Sequence, residues 1–468
     1  MTKHHCERLT TIWYCLVVLA AVAGYFLNLH QVQWHQDTVG EVISGTCLAR
    51  FGSDEHGVRL PLLNLRGYGD FKEPAFSYLL ALVFDFFKPS VVAARIVSLS
   101  LGLSGLVACV LFARRLISRP AYRWSAISFF CFGLLSLWLL GPQYFACAPA
   151  LSVPLALLLI WTSKNILDDP ASLGSGLAFG VVTAIMPYTY PSMKFLSATN
   201  SILIAILHLR KNGTAGLKLR NAKGLYCAGA LILAAALPFI LDALTHQQGL
   251  YRPGQVIENN PLTMLANLAG MFNPLSLFFQ LPGQSSYATG YGGLLNPVFL
   301  PFVTLGLGHC LHQAFRGSRF AVYLLLFTVL AMIPASMVRA EFMPSTPHRN
   351  LIAFPAFIIL AFYGAETATG YFKGRLGTVS FALVVCLWIF GGYESYKIVR
   401  QISRSLTVCV DFSKSVYMRE IPPAWNGPDR LVPCNDFTPK TAYYRYYRLV
   451  EKGDTCYCNA PVAGGEGR

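Results

Sequence analysis

Asp37 and Lys72 are the residues near the start of the sequence whose types and surroundings best suit chemistry. Asp37 stands in Trp34-His35-Gln36-Asp37, eight residues past an apolar run that ends at position 29. A carboxylate there can reach both an aqueous acceptor and a lipid headgroup, which suits a general base. The plainer reading is a solvated loop acid. Lys72 stands in Gly69-Asp70-Phe71-Lys72-Glu73-Pro74, just before the apolar stretch 75–87. That stretch is too short to span a bilayer and carries Asp85, so it predicts an interfacial or re-entrant helix. A Lys at the start of such a helix is a natural phosphate ligand, a point charge beside free backbone N–H groups. A snorkelling side chain is the alternative. Asp70, two residues earlier, could bind a divalent cation or orient Lys72.

These residues need elements to hold them. The chain has 468 residues, 54% hydrophobic and only 13% charged, with a mean hydropathy of +0.48. Soluble domains carry about 25% charged residues, so a soluble enzyme, a disordered tail protein and a secreted disulfide mini-fold are excluded. A membrane span needs about 20 mainly apolar residues. Apolar runs near 11–29, 94–113, 122–140, 148–163, 172–189, 194–209, 224–241, 294–311, 320–337, 350–366 and 376–393 predict about eleven spans. Segment 30–93, with 64 residues, is long enough to fold and to build a site at the membrane face. It also gathers the acids Glu41, Asp54, Glu55, Glu73 and Asp85.

The balance of 37 Lys+Arg against 22 Asp+Glu gives a net charge of +15. Most of the basic residues sit at the ends of apolar runs, which reads as topology and not as nucleic-acid binding. With the N-terminus inside, Arg114, Arg115, Arg119, Lys164, Arg210, Lys211, Lys218, Arg220, Lys223, Arg316, Arg319, Lys373 and Arg375 fall in inner loops. Segments 30–93, 242–293 and 394–468 then lie outside, as do Lys194 and Arg349 at span edges. Residues 1–29 could form a signal peptide, with Ala21-Val22-Ala23 as its cleavage site. The length of the apolar run favours a retained first helix. Cys409, Cys434, Cys456 and Cys458 lie in the outer tail, where disulfides are permitted. Four cysteines allow three pairings, and the sequence does not choose among them. The sequon at Asn212 falls in a basic inner loop and is expected to be unmodified.

Several blocks carry a family resemblance. Asp37 is followed by Gly52-Ser53-Asp54-Glu55-His56-Gly57-Val58-Arg59-Leu60-Pro61-Leu62, by Gly69-Asp70-Phe71-Lys72-Glu73-Pro74, by Tyr78 and by Arg95-Ile96-Val97-Ser98. This series resembles the first outer loop of bacterial dolichyl-phosphate-mannose–protein mannosyltransferase-like proteins. Those proteins belong with the aminoarabinose transferases of lipid A among the type-C glycosyltransferases. Pro187-Tyr188-Thr189-Tyr190-Pro191-Ser192-Met193-Lys194 resembles the family's aromatic outer turn. Gly290-Tyr291-Gly292-Gly293-Leu294-Leu295 and Pro344-Ser345-Thr346-Pro347-His348-Arg349-Asn350 resemble its later outer loops. The similarity covers about residues 10–370. Three positions depart from the pattern. Thr38 follows Asp37 where the family commonly has Glu, Glu73 interrupts a Lys-Pro-Pro, and Gly141-Pro142-Gln143-Tyr144 replaces a Ser-Arg loop.

The resemblance implies an all-α polytopic membrane protein, type-C glycosyltransferase-like, with a folded first outer loop containing interfacial helices. Residues 1–393 would form the transmembrane domain and 394–468 a small outer C-terminal region, rich in Tyr. The implied reaction is inverting transfer of a sugar from a polyprenyl-phosphate donor to an acceptor hydroxyl on a protein, glycan or lipid. Asp37 would take the acceptor proton. Lys72, Arg349 and Lys194 would bind the donor phosphate, where pre-placed cations stabilise the leaving anion. Glu41, Asp70, Tyr78, Arg95, Tyr190 and His348 would support the site. A divalent cation, if used, would take Asp70 as ligand. Gln280, Gln284, Ser285, Ser286, Tyr287 and Tyr291 suit sugar recognition, and equally a plain flexible loop. The implied location is a bacterial inner membrane with the site facing the periplasm. Two rival readings stay open: a flippase or anionic-solute transporter, and a non-catalytic membrane scaffold.

Overall fold

The computed structural model describes residues 36–67, 70–116, 147–213, 216, 218–245, 258, 260–278, 295, 299–339 and 351–371. The expected spans 11–29, 122–140 and 376–393 and the region 394–468 lie outside these residues. Each of the other eight runs coincides with a helix.

Residues 36–67 and 70–90 fold as a helical unit with a small ribbon. Helix α1 (Gln36–Phe51) packs on α2 (Ala75–Phe84). The pair meets closely at Gly45, where a Cβ would stand 2.8 Å from Leu80 Cβ. Val39, Val42, Ile43 and Cys47 of α1 face Phe76, Leu80 and Phe84 of α2 in one buried cluster. Helix α1 turns off at Gly52, whose φ of +61° is open to glycine at no steric cost. Strands β1 (Leu65–Gly67) and β2 (Asp70–Lys72) form an antiparallel ribbon with Leu65 opposite Lys72. Its strands are three residues each, too short for a period-two pattern to register in the sequence.

The bundle follows. Helix α3 (Val91–Leu116) starts at Ser90, whose hydroxyl accepts from Ala93 N at 3.0 Å. A 3-10 turn, Ala148–Leu151, leads into α4 (Ser152–Asp168). Helix α5 (Leu173–Ile185) is capped by Ser172 and prolonged by the 3-10 turn Met186–Tyr188. Then come α6 (Pro191–Asn212), α7 (Leu219–Thr245), α8 (Pro261–Met271), α9 (Pro274–Phe278), α10 (Leu300–Phe315), α11 (Arg319–Ser336) and α12 (Phe354–Tyr371). Among the described residues, five helices are long and apolar enough to cross a membrane.

Lipid tails are as apolar as leucine, so burial of apolar area does not drive helices together in a bilayer; close packing and buried hydrogen bonds do. Both are present here. A Cβ at Gly306 would lie 1.7 Å from Leu360 O, and one at Gly364 would lie 1.8 Å from Phe302 O, so α10 and α12 meet backbone to backbone. Gly176 and Gly224 do the same for α5 and α7. Inside the bundle, Tyr323 OH donates to Asn200 Oδ1 at 2.9 Å and Asn200 Nδ2 donates to Ser163 Oγ at 3.2 Å. This buried chain ties α11, α6 and α4.

The two ends of the bundle differ. At one end Arg115 lies over the Trp161 ring, Lys164 over the Phe320 ring, and Gly224 N donates to Pro170 O. Arg210 and Lys211 at the end of α6, Arg220 and Lys223 at the start of α7, and Arg316 and Arg319 between α10 and α11 lie at this same end. The first-loop unit docks at the opposite end, on Val91, Ala94 and Val97 of α3 and on Ala148 and Ala150.

Candidate active site at the junction of the first-loop unit and the bundle

The ribbon delivers Lys72 to the junction between the first-loop unit and the bundle. Lys72 closes β2 and is half-buried. The next residue, Glu73, turns inward, and its Oε1 lies 3.0 Å from Lys194 Nζ. The Glu73 side chain is 6% exposed and that of Lys194 27%. Lys194 sits in the first turn of α6, which begins abruptly because Tyr190 is extended and Pro191 takes the first helical position. The ammonium also stands 5.3 Å from the centre of the Phe239 ring on α7. That ring is 4.9 Å from Tyr188, whose hydroxyl donates to Ala235 O at 2.7 Å. Tyr190 packs against both the first-loop cluster and the bundle core. Of the three expected phosphate cations, Lys194 pairs with Glu73, the residue that follows Lys72 in the chain.

Other acids of the first loop have structural partners. Glu41 accepts from Ser77 Oγ and so ties α1 to α2. Glu55 accepts from Ser44 Oγ at 3.0 Å. The Asp54 carboxylate accepts from the backbone N–H groups of His56 and Val58, both at 2.9 Å, closing the turn that brings Ser53 against Arg59. Arg95 is buried on α3. The hydroxyl of Tyr78, on α2, is buried with no hydrogen-bond partner among the described residues. Burial pushes its phenol above the ordinary range, and the neighbouring Asp54 charge adds to the rise.

Asp37 is the second residue of α1, and Asp70 pairs with Gly67 in the ribbon; the side chains of both lie outside the described residues. His348, Arg349 and the polar segment 279–293 lie outside them as well. Among the described residues no group of three or more His, Cys, Asp or Glu could hold a metal ion. The sequence reading missed the part played by Glu73 and Phe239. Glu73 was visible only as a break in a Lys-Pro-Pro pattern, and nothing in the sequence links it to Lys194.

No family model and no curated protein sequence matches the chain. Its fold is nonetheless that of the type-C glycosyltransferases, in a polytopic helical membrane protein. The crystal structure of ArnT from Cupriavidus metallidurans bound to undecaprenyl phosphate is similar over 87% of this chain and 78% of that one, with 14% identity and a TM-score of 0.53. The apo oligosaccharyltransferase of Archaeoglobus fulgidus is similar over 89% of this chain, with 14% identity and a TM-score of 0.55. The chain spans 58% of that enzyme's length.

Proposed function

We propose that the protein is an integral-membrane glycosyltransferase that takes a sugar from a polyprenyl-phosphate donor and passes it, with inversion, to an acceptor hydroxyl. The observation that carries this reading is the meeting of Lys194 with the Lys72–Glu73 segment at the outer junction. In the reaction, the acceptor oxygen attacks the anomeric carbon while Asp37 takes its proton. The bond from that carbon to the phosphate oxygen breaks, and the electron pair leaves with the lipid phosphate. Lys72 and Lys194, with Arg349, stabilise the anion as it forms. Asp70 is the residue that would hold a divalent cation. Undecaprenyl phosphate in the similar ArnT structure supports a lipid-phosphate donor. The basic opposite end of the bundle supports a site on the exported face, the periplasm of a bacterial inner membrane. The disulfide at Cys47 in α1 agrees with an oxidising compartment there.

The test is incubation of the purified protein in sealed proteoliposomes with radiolabelled polyprenyl-phosphate sugars. The enzyme releases lipid phosphate and labels an acceptor, and Asp37→Asn abolishes both while membrane abundance holds. A donor moved across the bilayer unchanged would make the protein a flippase; no turnover and no movement would make it a scaffold.

A further inference from the structure

Lys194 already holds an anion, and the chain itself supplies it. The Glu73 carboxylate sits at 3.0 Å, where a phosphate oxygen would sit if this ammonium bound a lipid phosphate. Among the described residues, Lys194 also meets the face of Phe239, which attracts a cation but neutralises no charge. With 27% of its side chain exposed, Lys194 keeps a flank open to a second anion, whereas Glu73 is almost fully covered. Glu73 is also held on a short leash, between the last residue of β2 and Pro74 at the start of α2.

We propose that Glu73 is a positioning residue that occupies the phosphate place on Lys194 in the empty site, yields it to the donor, and returns to expel the product. This rests on the glycosyl-transfer reading above. Its chemical basis is the change in phosphate charge across the reaction. The donor is a phosphodiester with one negative charge. The released lipid phosphate is a monoester carrying about −1.5 to −2 at neutral pH. An uncompensated Lys194 would hold the product more tightly than the donor and slow turnover. A carboxylate returning to Lys194 offsets that excess.

The experiment measures binding of undecaprenyl phosphate to the full-length protein in zwitterionic nanodiscs, together with steady-state transfer. Glu73→Gln is expected to bind the lipid phosphate about three- to tenfold more tightly, the scale of one partly exposed ion pair. Its kcat and KM should both fall, because product release slows. The same change made on a Lys194→Gln background should alter affinity no further. A residue that merely braces the fold would weaken binding instead. Equal or weaker binding by Glu73→Gln overturns the inference while the wild type still binds. If the wild type itself fails to bind the lipid phosphate, the transfer reading falls and this inference with it. Should Glu73→Gln not fold, Glu73→Asp keeps the charge but withdraws it by one methylene; tighter binding supports the exchange, and equal or weaker binding overturns it.

Discussion

Tyr323 and Asn200 are joined by a hydrogen bond of 2.9 Å in the middle of the bundle, both of them fully buried. Asn200 passes the chain on to Ser163, so one side chain locks three helices. In a bilayer such bonds contribute modestly, because the unfolded helices also find partners in lipid.

Removing the phenolic hydroxyl leaves a buried amide oxygen without its donor. Tyr323→Phe is therefore expected to cost about 0.6–2 kcal/mol. Thermal unfolding in detergent should show a lowered Tm, with transfer per folded molecule unchanged.

Gly306 has no room for any side chain, since a Cβ would overlap Leu360 O at 1.7 Å. Gly306→Val should separate α10 from α12 and sharply reduce the folded yield. Gly308, with nothing within 4 Å of its Cβ position, is the control. Gly308→Ala is expected to leave yield and Tm unchanged, and fluorescence-detected size exclusion would compare the pair.

Lys72→Ala removes the ammonium that closes β2, next in the chain to Glu73. It should weaken undecaprenyl-phosphate binding by about tenfold or more, the scale of a charge-assisted contact. Unchanged affinity would take phosphate binding away from Lys72.

Tyr78 carries a buried hydroxyl with no partner among the described residues, so its loss should cost the fold little. Tyr78→Phe is expected to keep or raise the Tm and to lower transfer if the hydroxyl serves the reaction. The pH dependence follows from the direction of the shift. The folded phenol holds its proton more firmly than the unfolded one. Its contribution is complete below pH about 10 and is lost as pH climbs above that value. Phenolate absorbance in an alkaline titration, compared between wild type and Tyr78→Phe, reads this directly.

The spans were legible because lipid imposes a length and a composition that single residues cannot disguise. Their edges were not. The run 294–311 becomes a helix at 300–315 because Pro301 fixes its first turn, a local effect that apolar counting misses. Likewise 194–209 becomes 191–212, bounded by Pro191 and by Gly213 at a φ of +54°. Lys72 read as a cation before a short apolar helix and Lys194 as one at a span edge. The ion pair of Lys194 with Glu73 was not legible, because the two lie far apart in the chain and long-range contacts leave no spacing in one sequence. Glu41 illustrates the converse. By type and place it read as a site acid, yet its carboxylate is engaged with Ser77.

Among the described residues, Tyr190 packs on both apolar clusters, and the apolar contact of the first-loop unit with the bundle otherwise runs through the start of α3 and the turn leading into α4. With apolar contact concentrated in two clusters, cooperativity is divided as well. Warming should loosen the first-loop unit while the bundle helices stay assembled, so the junction at Glu73 and Lys194 would come apart well before the polypeptide unfolds.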